Sequence, residues 1–153
     1  MHTGQCHCGA VKIEIRGEPA AIGQCFCRDC RRTLGSTNAL NWFVPAEQLK
    51  LEGRAVCRSS RQARTNGLLA SDPKTHAMKG GSGHLVTNYF CANCGVTLYR
   101  EGEVMPGTLF VKAGVLDDVQ AVNQLRPHGE IFVRTRPDWV TPVAGASQKQ
   151  EML

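Results

Sequence analysis

No apolar run in this chain approaches the ~20 residues that a membrane-crossing helix needs. The opening residues, MHTGQCHCGAVKIEIRG, lack the basic start and apolar core of a signal peptide. The expected setting is therefore the reducing cytoplasm. No internal repeat recurs at a fixed period, and no segment sustains the 3.6-residue period of an amphipathic helix. Charge of one sign is not in large excess: 18 Lys and Arg against 13 Asp and Glu leave a formal +5. That balance suits an anionic small molecule; it would also tolerate weak nucleic-acid contact but is modest for a nucleic-acid partner. At 42% hydrophobic and 20% charged, the 153 residues suit one globular domain with a real core.

What is present is alternation. In AVKIEIR (10–16), Val11, Ile13 and Ile15 face one way while Lys12, Glu14 and Arg16 face the other. That is a half-buried strand. ALNWFVP (39–45), LKLEG (49–53), HLVTNYF (84–90), VTLYRE (96–101), GTLFVKAGVL (107–116) and EIFVRTR (130–136) read as further short strands bounded by turn residues. GEPAAIG (17–23) reads as a turn or loop, and helix is confined to RDCRRTLG (28–35) and PAEQL (45–49). The fold class is all-β, built mainly from short antiparallel strands. Residues 1–140 form one domain in this reading. Residues 53–83 read as a strand and a long excursion, and 141–153 as a disordered tail.

Seven of the eight cysteines fall in three tight groups: Cys6 and Cys8; Cys25, Cys27 and Cys30; Cys91 and Cys94. In a reducing compartment such grouping points to metal rather than disulfides. The C-x2-C pair at 91–94 turns two thiolates toward one ion, with Gly95 placed where a tight turn needs positive φ. A closed tetrahedral site needs two more ligands, which Cys6 and Cys8 can supply. The middle triplet offers three ligands within six residues. Three protein ligands and an open fourth position are the arrangement of catalytic zinc. A closed site is the alternative, with Cys57, His76, His84 or His128 as fourth ligand.

Cys57 alternates with Ala55 and also reads as a small buried hydrophobe. His7 reads as pointing to solvent, and His76 and His84 as solvated. Arg28, Arg31 and Arg32 surround Cys30, and Arg54, Arg58, Arg61 and Arg64 follow in a run without acids. They form either a solvated face or a wall for carboxylates, to which Arg offers paired donors.

The motifs GQCHCGAV, QCFCRDCRRTLGS, YFCANCGVTLYRE, FVKAGVLDD and EIFVRTRPDW, taken in order, resemble the glutathione-dependent formaldehyde-activating family, which includes centromere-protein-V-like domains. The resemblance spans about residues 4–140. It implies a zinc-containing, mainly β fold of the Mss4-like, or β-tent, type with two Zn2+ per chain. It implies a structural zinc at Cys6, Cys8, Cys91 and Cys94, and a catalytic zinc at Cys25, Cys27 and Cys30. It also implies a carbon–sulfur lyase activity that adds glutathione or a similar thiol to formaldehyde or another small aldehyde, giving S-(hydroxymethyl)glutathione. Arg28, Arg31 and Arg32 would hold the glutathione carboxylates. A non-catalytic zinc module that binds a protein or nucleic-acid partner is the alternative within the same family. Two positions depart from the common family pattern, where histidine is frequent: Phe26, and Glu130 before Ile131.

The division of the seven clustered cysteines into four and three predicts two zinc ions per chain. Elemental analysis of protein purified without chelator should return two. One tightly held zinc, with the triplet thiols free to titrate, would rule the division out.

Overall fold

Short alternating segments account for most of the architecture. The computed structural model describes residues 1–52, 73–81 and 83–152. In chain order its strands begin with β1 (His2–Gln5), β2 (Lys12–Ile15), β3 (Ala21–Cys25), β4 (Ala39–Pro45) and β5 (Leu49–Glu52). They continue with β6 (Pro73–Lys79), β7 (Leu85–Cys91), β8 (Thr97–Gly102), β9 (Thr108–Lys112), β10 (Gly129–Ile131) and β11 (Ser147–Lys149). Two short α-helices among the described residues, α1 (Arg28–Leu34) and α2 (Val119–Gln124), and three single 3-10 turns complete a mainly β fold. Among the described residues, no helix is long and apolar enough to cross a membrane.

The strands form a small sheet in the order β1-β2-β5 and a large one in the order β11-β10-β3-β4-β9-β8-β7-β6. Pairing is antiparallel throughout, except that β10 runs parallel to both of its neighbours, β3 and β11. Ile13 and Ile15 of β2 pack with Trp42 and Val44 of β4, Leu98 and Tyr99 of β8, and Leu109 and Val111 of β9. The main core therefore lies between the two sheets. The opposite side of the large sheet carries α1 and a second, smaller buried group: Cys25, Cys30 and Ala39. Alternation along β4 explains the split, since Trp42 and Val44 face the main core while Ala39 and Asn41 face the other way.

Several elements depart from the sequence reading. The segment 17–23, read as a loop, contributes its last residues to β3, which lies inside the large sheet. The excursion expected through residue 83 contains β6, which among the described residues is an edge strand, with exposed Lys74, Thr75, His76 and Lys79. Polar residues hide its alternation, and a Lys-bearing edge that begins with proline is a common way to protect a sheet margin. Residues 130–136 are strand only to Ile131 and then coil into a 3-10 turn at Val133–Thr135. Cys57 and the arginines at 54, 58, 61 and 64 lie outside the described residues.

The tail from residue 141, expected to be disordered, carries β11. Its order comes from polar contacts rather than apolar burial. The buried Glu130 carboxylate accepts from the Val143 backbone N–H at 2.9 Å, from Gln148 Nε2 and from Arg136 Nη1. Arg136 also lies over the ring of the fully buried Phe26, at 5.8 Å from its centroid. The two positions that depart from the family pattern thus meet around one guanidinium.

In β1, Gly4 pairs with Ile13 and bridges to Leu116. A Cβ at Gly4 would overlap the carbonyl oxygen of Val115. Backbone is a poor yielder, so Gly4→Ala should cost about 1–3 kcal/mol and lower the melting temperature by roughly 3–10 °C. An unchanged melting curve would show that β1 can shift without loss.

Candidate functional site

The first cluster is built by two turns of the same design. Cys6 N–H bonds to Val11 O and Gly9 N–H to Cys6 O, closing a turn with Gly9 at φ 73°. Cys91 N–H bonds to Val96 O and Gly95 N–H to Cys91 O, with Gly95 at φ 74°. Both glycines occupy the left-handed region that a Cβ disfavours. The two turns bring the sulfurs of Cys6, Cys8, Cys91 and Cys94 within 4.8 Å of one another. Cys6 and Cys8 Sγ are 3.5 Å apart, and Cys8 and Cys91 Sγ 3.7 Å. Tetrahedral zinc thiolates at ~2.3 Å from the ion stand about 3.8 Å from each other, so this donor set fits zinc. Cys6 and Cys91 are buried, whereas Cys8 is exposed. Hydrogen bonds from the Asn93 side chain and the Ala10 backbone pull the Cys8 thiol down to about 6.

The second cluster sits where β3 enters α1. Cys25 ends the strand, Cys27 caps the helix, and Cys30 lies in its first turn. Cys27 Sγ accepts from the Cys30 backbone N–H at 3.3 Å, the role an N-cap oxygen usually fills. The three sulfurs also lie within 4.8 Å of one another, and among the described residues no fourth Cys, His, Asp or Glu joins them. His76 and His84 are exposed. His128 Nδ1 accepts from the Ile22 backbone N–H at 3.2 Å and is engaged there. Each cluster could hold a metal ion, and thiolate donors in threes and fours suit zinc.

Around the triplet pack Leu34, Ile131 and Phe132. Phe132 has φ 57°. A bulky residue there stores strain of roughly 1–2 kcal/mol, and such strain persists where the surroundings hold it in place. Thr135 Oγ1 ties this turn to Phe26 O and Phe132 O, each at 3.0 Å. Arg28, Arg31 and Arg32 are exposed on α1 and, with Ser36, border an open surface depression.

Sequence reading missed the polar row beneath the triplet. Arg100 of β8 donates from Nη1 to Cys30 Sγ at 3.3 Å. Its Nη2 reaches Thr33 Oγ1 at 3.3 Å and its Nε reaches Asn88 Oδ1 at 3.1 Å. Lys112 of β9 is 3% exposed and donates from Nζ to Asn41 Oδ1 at 2.6 Å. Burial pushes Lys112 down to about 8, and Arg100 pushes in the same direction, while the triplet sulfurs act in the opposite sense. Cys30 is lowered, first by hydrogen bonds from Cys25 and Cys27 and then by the charges of Arg100 and Lys112. The signal available in the sequence was weak: one cation in each of two short strands, Arg100 beside Glu101 in TLYRE and Lys112 at the end of TLFVK.

Asn41→Ala removes the side-chain acceptor that meets the buried Lys112 ammonium. A hydrogen bond to a charged group contributes about 1.5–3 kcal/mol, so the variant should lose about 2 kcal/mol, read as a lower urea midpoint with unchanged slope. An unaltered midpoint would mean that Nζ finds another partner.

The family model for the glutathione-dependent formaldehyde-activating enzyme matches residues 1–135. A Halomonas elongata protein provisionally named as a glutathione-dependent formaldehyde-activating enzyme is 27% identical over 139 residues, covering 90% of this chain and 78% of that protein. A crystal structure of a Rhodobacter sphaeroides protein shares the fold, with a TM-score of 0.52 and 22% identity across 82% of this chain and 96% of that one. With its match over residues 1–135, the chain belongs to the glutathione-dependent formaldehyde-activating enzyme family.

Proposed function

We propose that the chain is a carbon–sulfur lyase that adds glutathione, or a similar thiol, to formaldehyde or another small aldehyde. In this reading Cys25, Cys27 and Cys30 form the reactive metal centre, and Cys6, Cys8, Cys91 and Cys94 a structural one. The observation that carries the reading is the difference between the clusters: four sulfurs in one, and three with no further donor among the described residues in the other. Zinc held by the triplet would supply Lewis acidity and keep an added thiol ionised near neutral pH.

The chain's own residues support the rest of the chemistry. Arg28, Arg31 and Arg32 border an open surface depression on the same helix that carries Cys30, and paired guanidinium donors suit the two carboxylates of glutathione. Ile131, Phe132 and Leu34 give the triplet an apolar border, which strengthens charge interactions inside it. In the reaction the thiol sulfur forms a bond to the aldehyde carbon. The carbonyl π pair moves to oxygen, and the proton lost by the thiol ends on that oxygen. No oxidant or reductant is needed. A small aldehyde needs few contacts, so binding energy comes mainly from the thiol partner.

Calorimetry on the zinc-loaded chain tests this. Glutathione should bind, with affinity falling as salt screens the arginines over ~8–10 Å. S-methylglutathione keeps the charges but has no ionisable thiol, so it should bind at least about tenfold more weakly. Cys27→Ser should abolish the difference between the two ligands. Equal affinity of both ligands for the native chain would leave an anion site with no role for the sulfur.

A further inference from the structure

Two cations stand behind the triplet, and among the described residues neither forms an ion pair with a carboxylate. Arg100 is half-buried and held by three side chains: Cys30, Thr33 and Asn88. Lys112 is almost fully buried, with Asn41 as its hydrogen-bond acceptor. Burying a cation is costly unless counter-charge compensates it. The charges that act on Lys112 are those of Arg100 and of Cys25, Cys27 and Cys30. The first cluster is different. Its sulfurs receive hydrogen bonds from Asn93 and from backbone N–H groups, including those of Ala10, Val11 and Val96.

We propose that Arg100 and Lys112 are the counter-cations of the triplet, and that they make it select an anionic fourth ligand over a neutral one. The inference deepens the proposed function and rests on the triplet holding a divalent ion. Three thiolates and a divalent ion carry one net negative charge, which opposes the approach of another anion. The two cations, one half-buried and one buried, change that sum to one net positive charge, and a fourth thiolate then brings the whole assembly to neutrality. The substrate class that follows is a thiol arriving as its thiolate, with small monovalent anions as competitors. The Arg100 hydrogen bond to Cys30 Sγ acts in the same direction. It draws electron density from the sulfur and leaves a bound ion more receptive to a further donor. Arg100 and Lys112 are positioning residues in this scheme, since their effect passes through the triplet.

Cobalt(II) in place of zinc gives a visible spectrum that reports ligand exchange. The full chain, loaded with cobalt, is titrated with azide as an anionic probe and with imidazole as a neutral one. Azide should change the spectrum saturably and bind the more tightly of the two. Arg100→Gln and Lys112→Met should each weaken azide by about tenfold or more, about 1.4 kcal/mol per tenfold, while imidazole binds as well or better. Arg100→Lys keeps the charge and should retain most of the azide affinity, which a purely structural role for the guanidinium would not explain. Metal content and melting temperature are measured for every variant. If Arg100→Gln does not fold, Lys112→Met decides alone, because its unbranched side chain fills similar space. Equal azide affinity in native and charge-removed chains that carry two cobalt ions would overturn the inference while leaving the open site standing. A chain that takes only one cobalt would overturn the open site itself, and this inference with it.

Discussion

Four sulfurs drawn from residues 6–8 and 91–94 meet at one point, and the main core is organised around that meeting. Cys6 lies just beyond β1, in the turn that leads to β2 of the small sheet, and Cys91 ends β7 of the large one. Both are buried within the same apolar group as Ile13, Trp42 and Val111. The small sheet could slide over the large one if only methyl groups held it, because apolar contact is non-directional. Thiolates directed at one ion would fix a position and an orientation, and the free energy of such a site would add to folding free energy. The close approach of Gly4 to the Val115 carbonyl shows how little room that registration leaves.

The opposite face of the large sheet is governed by charge. Asn41, Asn88, Arg100 and Lys112 form a polar row on a surface that an ordinary sheet would fill with aliphatic side chains. Such a row is unfavourable unless every member is satisfied. Here amide oxygens meet the Arg100 Nε–H and the Lys112 ammonium, and Cys30 Sγ accepts from Arg100. The row and the triplet therefore depend on each other. The helix that carries Cys30 is only seven residues long. Isolated helices of that length are unstable. Cys27 caps its start, and Arg100 reaches its Cys30 and Thr33 side chains.

A third device orders the end of the chain. The fully buried Glu130 collects Val143, Gln148 and Arg136 around one carboxylate oxygen. A segment of mostly small and polar residues thereby gains a paired strand at the sheet margin. Composition treats such a segment as unable to repay its ordering entropy. That account omits hydrogen bonds to a buried charge, which are stronger than neutral ones.

How much was legible depended on whether the determining contacts were local. Cysteine spacing is local. C-x-C and C-x2-C each followed by glycine can close only a few kinds of turn, so sequence alone determined which backbone segments present paired sulfurs. Alternation is local too, and β2, β4, β7, β8 and β9 were readable from it. Strand β3 is short and contains a glycine, β6 is a polar edge, and β11 has no apolar face, so none carries a strong period. Their pairing was decided by neighbours far away in the chain. The same holds for Arg100 and Lys112. In sequence each is one cation in a strand, as compatible with solvent as with burial. Only the stacking of β8 and β9 beside β4, with α1 laid across that face, brings Arg100 to the buried Cys30 sulfur and Lys112 to Asn41. Charge placement in a low-dielectric interior is a property of the assembled sheet, since the cost and the compensation exist only once water has been excluded.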